Sequence, residues 1–235
     1  MSCSTASEGE LTRRFALPIQ YIVPFTSRKN SVFLVRYHGK LAVCKQFNSI
    51  ESAHKEWTLL FRLKSIGIPA PNPITLFGNW SIREFVDGTP ISDLIDMDSH
   101  NTRWILPLAM WLYSFHRYAN LKLGDVNLRN FIFQEESRTI YAIDFEDVSQ
   151  GNPLEDIGDL VVHILTHRPE FTDNKFRMAT MLIKSYSELA RIDRENIVNE
   201  LYDAFLRAAV RRRNLAILNF FHFVKKIDSL LESSI

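Results

Sequence analysis

The segment VFLVRY-HGK-LAVCKQF, residues 32–47, constrains this chain more than any other. Two apolar runs rich in β-branched and aromatic residues flank three residues that hold a glycine. That pattern predicts an antiparallel hairpin with a tight turn. A lone hairpin is barely stable in water, so neighbouring segments must extend it. Residues 20–23 read as a third strand, and Pro24 places it at an edge or ends it there. Residues 26–31 (TSRKNS) form a polar turn. Residues 74–77 and 80–86 read as two further strands, with Gly78 and Asn79 as the turn between them. Between hairpin and later strands, Ile50, Ala53, Trp57, Leu60 and Leu63 recur at helical spacing. Asn48 or Ser49 is the expected cap, and Glu51 suits the positive end of the helix dipole. Gly67 and prolines at 69, 71 and 73 end that helix.

The remainder is mostly helical. Asp87, Gly88, Thr89 and Pro90 read as the crossing into it. Residues 103–118 are amphipathic and aromatic, and residues 120–130 are polar and loop-like. Two short strands follow at 131–133 and 140–145. Residues 154–166, 175–189, 195–211 and 214–231 are expected helices. The fold class expected is α+β: a small five-stranded antiparallel N-lobe with one helix, and a larger, mainly helical C-lobe. The divisions are a flexible N-terminus over residues 1–10, an N-lobe over 11–86 and a C-lobe over 87–235.

Charge narrows the function classes. With 28 Lys+Arg against 27 Asp+Glu, the formal net charge is +1. That gives no global case for nucleic acid or an anionic membrane. The local exception is a basic C-terminal region of Arg211, Arg212, Arg213, Lys225 and Lys226, read as a solvated face. No apolar run approaches the roughly 18–20 residues that span a bilayer. The two cysteines, Cys3 and Cys44, make no disulfide framework. Residues 1–10 have no apolar core behind a basic start, so a secretory signal is not expected, and the expected location is cytoplasmic.

The chemistry-bearing block is Gly124-Asp125-Val126-Asn127-Leu128-Arg129-Asn130, followed by the short strand pair and Ile143-Asp144-Phe145-Glu146. A loop carries a carboxylate and, five positions on, a carboxamide. A hairpin then returns a second carboxylate. Hard divalent cations take oxygen donors of this kind. Phosphoryl transfer needs positioning and charge compensation more than covalent help. Upstream, Lys45 interrupts the apolar run Leu41-Ala42-Val43-Cys44, an uncommon place for a charge.

These residues, in this order, resemble the protein-kinase-like superfamily over roughly residues 20–165. The resemblance implies that Asp125 is the catalytic base and that Asn130 and Asp144 are the metal ligands. It implies that Lys45 contacts the ATP phosphates and that Glu56 pairs with it, with Glu51 as the alternative partner. Residues 84–88, beginning with Glu84, occupy the place of the adenine-binding hinge. The cofactors implied are ATP and Mg²⁺.

Three departures refine the likeness. The 26–31 turn has no glycine, so Ser27, Ser31 and backbone N–H groups stand where a Gly-rich loop would cover the phosphates, with Arg28 or Lys29 adding charge. Leu123 precedes Gly124-Asp125 where a histidine is usual. Asn127 and Glu146 replace the lysine and glycine of protein kinases. The last two, with Gly151-Asn152-Pro153-Leu154-Glu155-Asp156, resemble aminoglycoside and choline phosphotransferases and the sugar kinases of lipopolysaccharide core. There Asp156 is implied to brace the catalytic loop. His116 is expected to be a packed, hydrogen-bonded residue. Leu63, Gly67, Pro69 and Pro71 are also similar to RIO-type atypical kinases. The function expected is transfer of the ATP γ-phosphoryl group to a hydroxyl, with a small molecule or sugar favoured as acceptor. The alternatives are a RIO-type protein kinase and a nucleotide-binding pseudokinase scaffold.

Overall fold

The computed structural model describes residues 19–25, 30–212 and 220–232. Residues 1–10 and 26–29, with Ser27 among them, and Arg213 lie outside the described residues. The chain divides into two compact units with the boundary between Asp87 and Gly88.

In the first unit, strands β1 (Ile19–Phe25), β2 (Ser31–Tyr37), β3 (Lys40–Gln46), β4 (Pro73–Phe77) and β5 (Trp80–Glu84) form one antiparallel sheet in the order β1-β2-β3-β5-β4. Pro24 lies on edge strand β1, where a missing N–H is tolerated. His38 and Gly39 both have positive φ, 50° and 76°, as the tight β2–β3 turn requires. Phe33, Val35, Tyr37, Ala42, Cys44, Trp80 and Ile82 form one buried cluster, and Phe33 stacks on Trp80 with centroids 6.3 Å apart. Alternation along the strands then puts Lys45 opposite Ser81 and Val43 opposite Arg83 on the other face.

Helix α1 (Ile50–Ser65) is capped by Ser49, whose Oγ accepts the Ser52 N–H at 3.0 Å. Its buried residues are Ala53, Glu56, Leu59, Leu60 and Leu63. Ile50, expected on the buried stripe, is 58% exposed because the first helical position lies at the rim of the contact. The inward position one turn after Ala53 is instead a carboxylate.

In the second unit, Thr89 and Pro90 form strand β6 rather than a plain crossing, and pair with strand β7 (Phe131–Gln134), which pairs with strand β8 (Thr139–Ala142). Gly88 makes this possible. A Cβ there would sit 2.7 Å from Ile132 Cγ2 and 2.8 Å from the Phe133 carbonyl. Helix α2 (Ile91–Met97), not expected from sequence, follows directly. Helix α3 (Ile105–Ser114) runs into a π-helical turn at Phe115–Ala119, stopped by Asn120 with φ 55°. Helices α4 (Leu154–Leu165), α5 (Asp173–Ala190), α6 (Arg194–Arg212) and α7 (Phe220–Glu232) complete the unit. Along α4, Ile157, Leu160, Val161, Val162, Ile164 and Leu165 are all fully buried. Burying each such side chain contributes about 1.5–3 kcal/mol. Gly158 lets α6 approach, since its added Cβ would meet Ala204 Cβ at 3.0 Å. No helix among the described residues is long and apolar enough to cross a membrane.

Candidate active site

The expected site residues fall into two sets, one in each unit. In the first unit, Lys45 Nζ donates to Glu56 Oε2 at 2.8 Å, and both side chains are almost wholly buried. Strand β3 aims the lysine off the apolar-cluster face, and α1 aims the glutamate back at it. Glu51, the other partner considered, is exposed in the first turn. Glu56 has a second cation: Arg83 Nη1 of strand β5 donates to its Oε1 at 2.9 Å. Lys45 Nζ also sits 4.7 Å from the centroid of the Phe47 ring.

Arg83 was missed by sequence reasoning. The signal that singled out Lys45, a charge inside an apolar strand, was present there too. Glu84 is exposed, and its Oε2 accepts from the Asn72 side-chain Nδ2 at 2.5 Å and from the Asn72 N–H at 3.3 Å. Its own N–H donates to the Asn72 carbonyl at 2.9 Å. Ser31 opens β2, half-buried and opposite Gln46.

In the second unit, the loop with Asp125 is held at four points. Gly124 (φ 78°) lies against Asp147, whose carbonyl oxygen would be 2.7 Å from an added Cβ. Lys122 and Ser149 exchange backbone hydrogen bonds of 2.8 and 3.1 Å. Lys122 Nζ pairs with Glu155. Asp156, at the start of α4, accepts the Leu123 N–H through Oδ2 at 2.5 Å and the Gly124 N–H through Oδ1 at 3.0 Å.

Asp156 is itself oriented. His116 Nε2 lies 3.1 Å from its Oδ2, and His116 Nδ1 lies 2.7 Å from Tyr186 Oη on α5. Burial, reinforced by the nearby Asp156 charge, pushes the Tyr186 phenol well above its ordinary pKa. The phenol therefore stays protonated, and in the tautomer with Nε2–H it donates to Nδ1 while Nε2–H donates to Asp156. No sequence signal marked Tyr186.

Downstream of Asp125, Asn127 Oδ1 accepts the Arg129 N–H at 3.2 Å and caps the 3₁₀ turn Leu128–Asn130. Asn130 Nδ2 makes a long, 3.5 Å contact with the Asp125 carbonyl. The Ile143 N–H donates to the Asn130 carbonyl at 2.9 Å, which puts Asp144 next to Asn130. Phe145, buried with Trp111 and Phe115 rings 6.5 and 6.3 Å away, pins the next position. Asp125 is exposed, while Asn130 and Asp144 are half-buried. A carboxylate and a carboxamide held this way are oxygen donors suited to a hard divalent cation.

This arrangement has relatives. The RIO domain family matches residues 28–154. The EKC/KEOPS complex subunit BUD32 of Encephalitozoon cuniculi (strain GB-M1) is 33% identical over 91 residues. That match spans 39% of this chain and 44% of the relative, less than half of its length. The ADP-bound aminoglycoside phosphotransferase APH(2'')-Ib superposes with TM-score 0.64 at 14% identity, covering 95% of each chain. The Plasmodium vivax ethanolamine kinase Pv091845 superposes with TM-score 0.57 at 14% identity, covering 79% of this chain and 71% of the other. At such identity these two likenesses establish the kinase-like fold alone. The family match takes in more than half of the 235 residues, and every expected site residue except Ser27 falls inside it. The chain belongs to the RIO domain family and is a kinase-like enzyme.

Proposed function

We propose that this enzyme transfers the γ-phosphoryl group of ATP, with Mg²⁺, to the hydroxyl of a small molecule or sugar. The observation that carries the reading is the held loop of the second unit. Asp156 fixes the backbone just before Asp125, and the Asn130 carbonyl fixes the backbone just before Asp144. Positioning of this kind is the main thing phosphoryl transfer asks of a protein. Asp125, exposed on that loop, orients the acceptor hydroxyl and takes its proton. Asn130 and Asp144 hold the metal, which when bound offsets charge on the phosphates. Lys45 contacts the α- and β-phosphates and Glu56 keeps it in place. Ser31 and the neighbouring N–H groups cover the phosphates, and the backbone from Glu84 onward meets the adenine.

The acceptor preference rests on the segment after Asp144. Helix α4 begins at Leu154, which leaves no room for a long, separately regulated loop. Phosphotransferases that by name act on aminoglycosides and ethanolamine share the fold over most of the chain. The RIO family match favours a second reading, in which the acceptor is a protein hydroxyl. A cytoplasmic, reducing setting accords with Cys44 being buried and free.

Thermal shift with ATP and Mg²⁺ tests the cofactor. Wild type is expected to be stabilised only when both are present, and Asp144→Asn to lose the metal-dependent part. Labelled ATP with panels of sugars, amino alcohols and protein extracts then tests the acceptor. Asp125→Ala should bind ATP but transfer nothing. Absence of any ATP shift in folded wild type would overturn the reading.

A further inference from the structure

The loop that carries Asp125 holds two carboxamides, Asn127 and Asn130, and turns opposite ends of them outward. Asn127 Oδ1 accepts the Arg129 N–H at 3.2 Å. A backbone N–H is only a donor, so the oxygen faces the turn and Nδ2 is the end left over. Asn130 is the reverse. Its Nδ2 meets the Asp125 carbonyl, an acceptor only, at 3.5 Å, so its oxygen is the end left over. That oxygen suits a hard cation. The nitrogen of Asn127 suits an oxygen that carries negative charge. Among the described residues Asn127 Nδ2 has no hydrogen-bond partner. The residue is half-buried, and Nδ2 keeps contact with solvent. It sits between Asp125 and Asn130, on the loop that Asp156 holds. The cap bond sets the direction of the two N–H donors before any ligand arrives, and preset donors are the ones that lower a barrier. Being neutral, the carboxamide is not drawn into an ion pair with Asp125 or Asp144, as a cation at that position would be.

We propose that Asn127 is a further catalytic residue: its Nδ2 donates a hydrogen bond to an oxygen of the phosphoryl group while that group is transferred. This deepens the phosphotransferase reading and rests on it for the identity of the group. In the step, the bond from the γ-phosphorus to the oxygen that stays with ADP breaks. A bond from the acceptor oxygen to phosphorus forms, and the acceptor's proton passes to Asp125. Asn127 gives up no proton. Its N–H supports charge on a non-bridging oxygen, where the transition state spreads it.

The test compares wild type, Asn127→Ser and Asn127→Asp. Serine keeps a capping oxygen for the Arg129 N–H but is too short to put a donor where Nδ2 was. Aspartate keeps the cap and puts a negative oxygen there. Two quantities are measured. One is kcat for phosphoryl transfer, with water as acceptor where no other serves. The other is calorimetric binding of ADP and Mg²⁺ with and without aluminium fluoride, which stands in for the phosphoryl group in transfer. Asn127→Ser is expected to lower kcat about a hundredfold, and Asn127→Asp further. Aluminium fluoride should tighten ADP binding by wild type about a hundredfold and by either variant far less. ADP alone should bind all three equally. Should Asn127→Ser prove unfolded, Asn127→Asp carries the test on the same criteria. A folded variant that keeps the full aluminium fluoride effect overturns the proposal. An equal loss of affinity for ADP alone also overturns it, because that marks a residue that only shapes the loop. A wild type that gains nothing from aluminium fluoride overturns it as well. If the wild-type gain depends on Asn127 yet no phosphoryl group reaches any acceptor, water included, the functional reading falls and this inference stands.

Discussion

Tyr186 Oη lies 2.7 Å from His116 Nδ1, across seventy residues of sequence, and the other nitrogen of that ring faces Asp156. The phenol, the imidazole and the carboxylate thus form a buried relay that ends on two backbone N–H groups beside Asp125. Tyr186→Phe removes the first donor and frees the imidazole to change tautomer. It is expected to cost about 1–2 kcal/mol of stability. It should lower kcat several-fold with KM for ATP unchanged, which steady-state kinetics would read. Asp156→Ala strands the Leu123 and Gly124 N–H groups and should cost more, about 2–4 kcal/mol in denaturant titration.

Gly124→Ala meets two obstacles at once. Its φ of 78° disfavours any side chain, and the new methyl would lie 2.7 Å from the Asp147 carbonyl oxygen. The loop must shift to relieve the clash, and Asp125 shifts with it. Loss of phosphoryl transfer is expected at a stability cost of about 1–3 kcal/mol. Retained kcat would show that the loop tolerates movement.

Lys45 and Glu56 are not equivalent partners. Lys45→Met leaves Glu56 with Arg83, whereas Glu56→Leu leaves two buried cations without their carboxylate. Breaking a buried pair costs about 3–5 kcal/mol. The glutamate substitution should fall at or above the upper end and the lysine substitution near the lower. Equal losses in chemical denaturation would contradict the shared-carboxylate geometry.

Cys44 is buried at the centre of the sheet cluster, and desolvation pushes its thiol from 9.0 to about 12. The sign follows from proton counting. Between those values the unfolded chain has released the proton and the folded chain retains it. Raising pH across that window therefore favours unfolding. Stability is fully present below pH 9 and declines above it, by up to about 1.4 kcal/mol per pH unit from this group. Cys44→Val should show a shallower decline in urea midpoint between pH 9 and 10.5. Native Cys44 should also resist alkylation at pH 8.

The sheet was legible because its residues alternate and its turns are marked by Gly39 and by Gly78-Asn79. The loop and hairpin that carry Asp125, Asn130 and Asp144 were legible by spacing. The pairing of Lys45 with Glu56 was readable because Glu56 falls on the inward side of α1 between Ala53 and Leu60. Ile50 misled, since its hydrophobicity fits the period but its position at the helix start takes it out of the contact. Strand β6 was hidden because two residues with a proline carry no periodicity, and only pairing with Ile132 and Phe133 defines it. Tyr186 was unreadable for a different reason. Its role depends on how α5 packs against α3, and a single tyrosine in an amphipathic helix looks like core.

The match to the RIO domain family covers residues 28–154, ending two residues before Asp156 and well before Tyr186. A chain shortened to that stretch would keep Asp125, Asn130 and Asp144 yet lose what holds their loop still. The chemistry of the matched stretch thus leans on residues that follow it. Most buried positions of α5 matter to packing alone, but at one phenol a substitution reaches back to the catalytic loop.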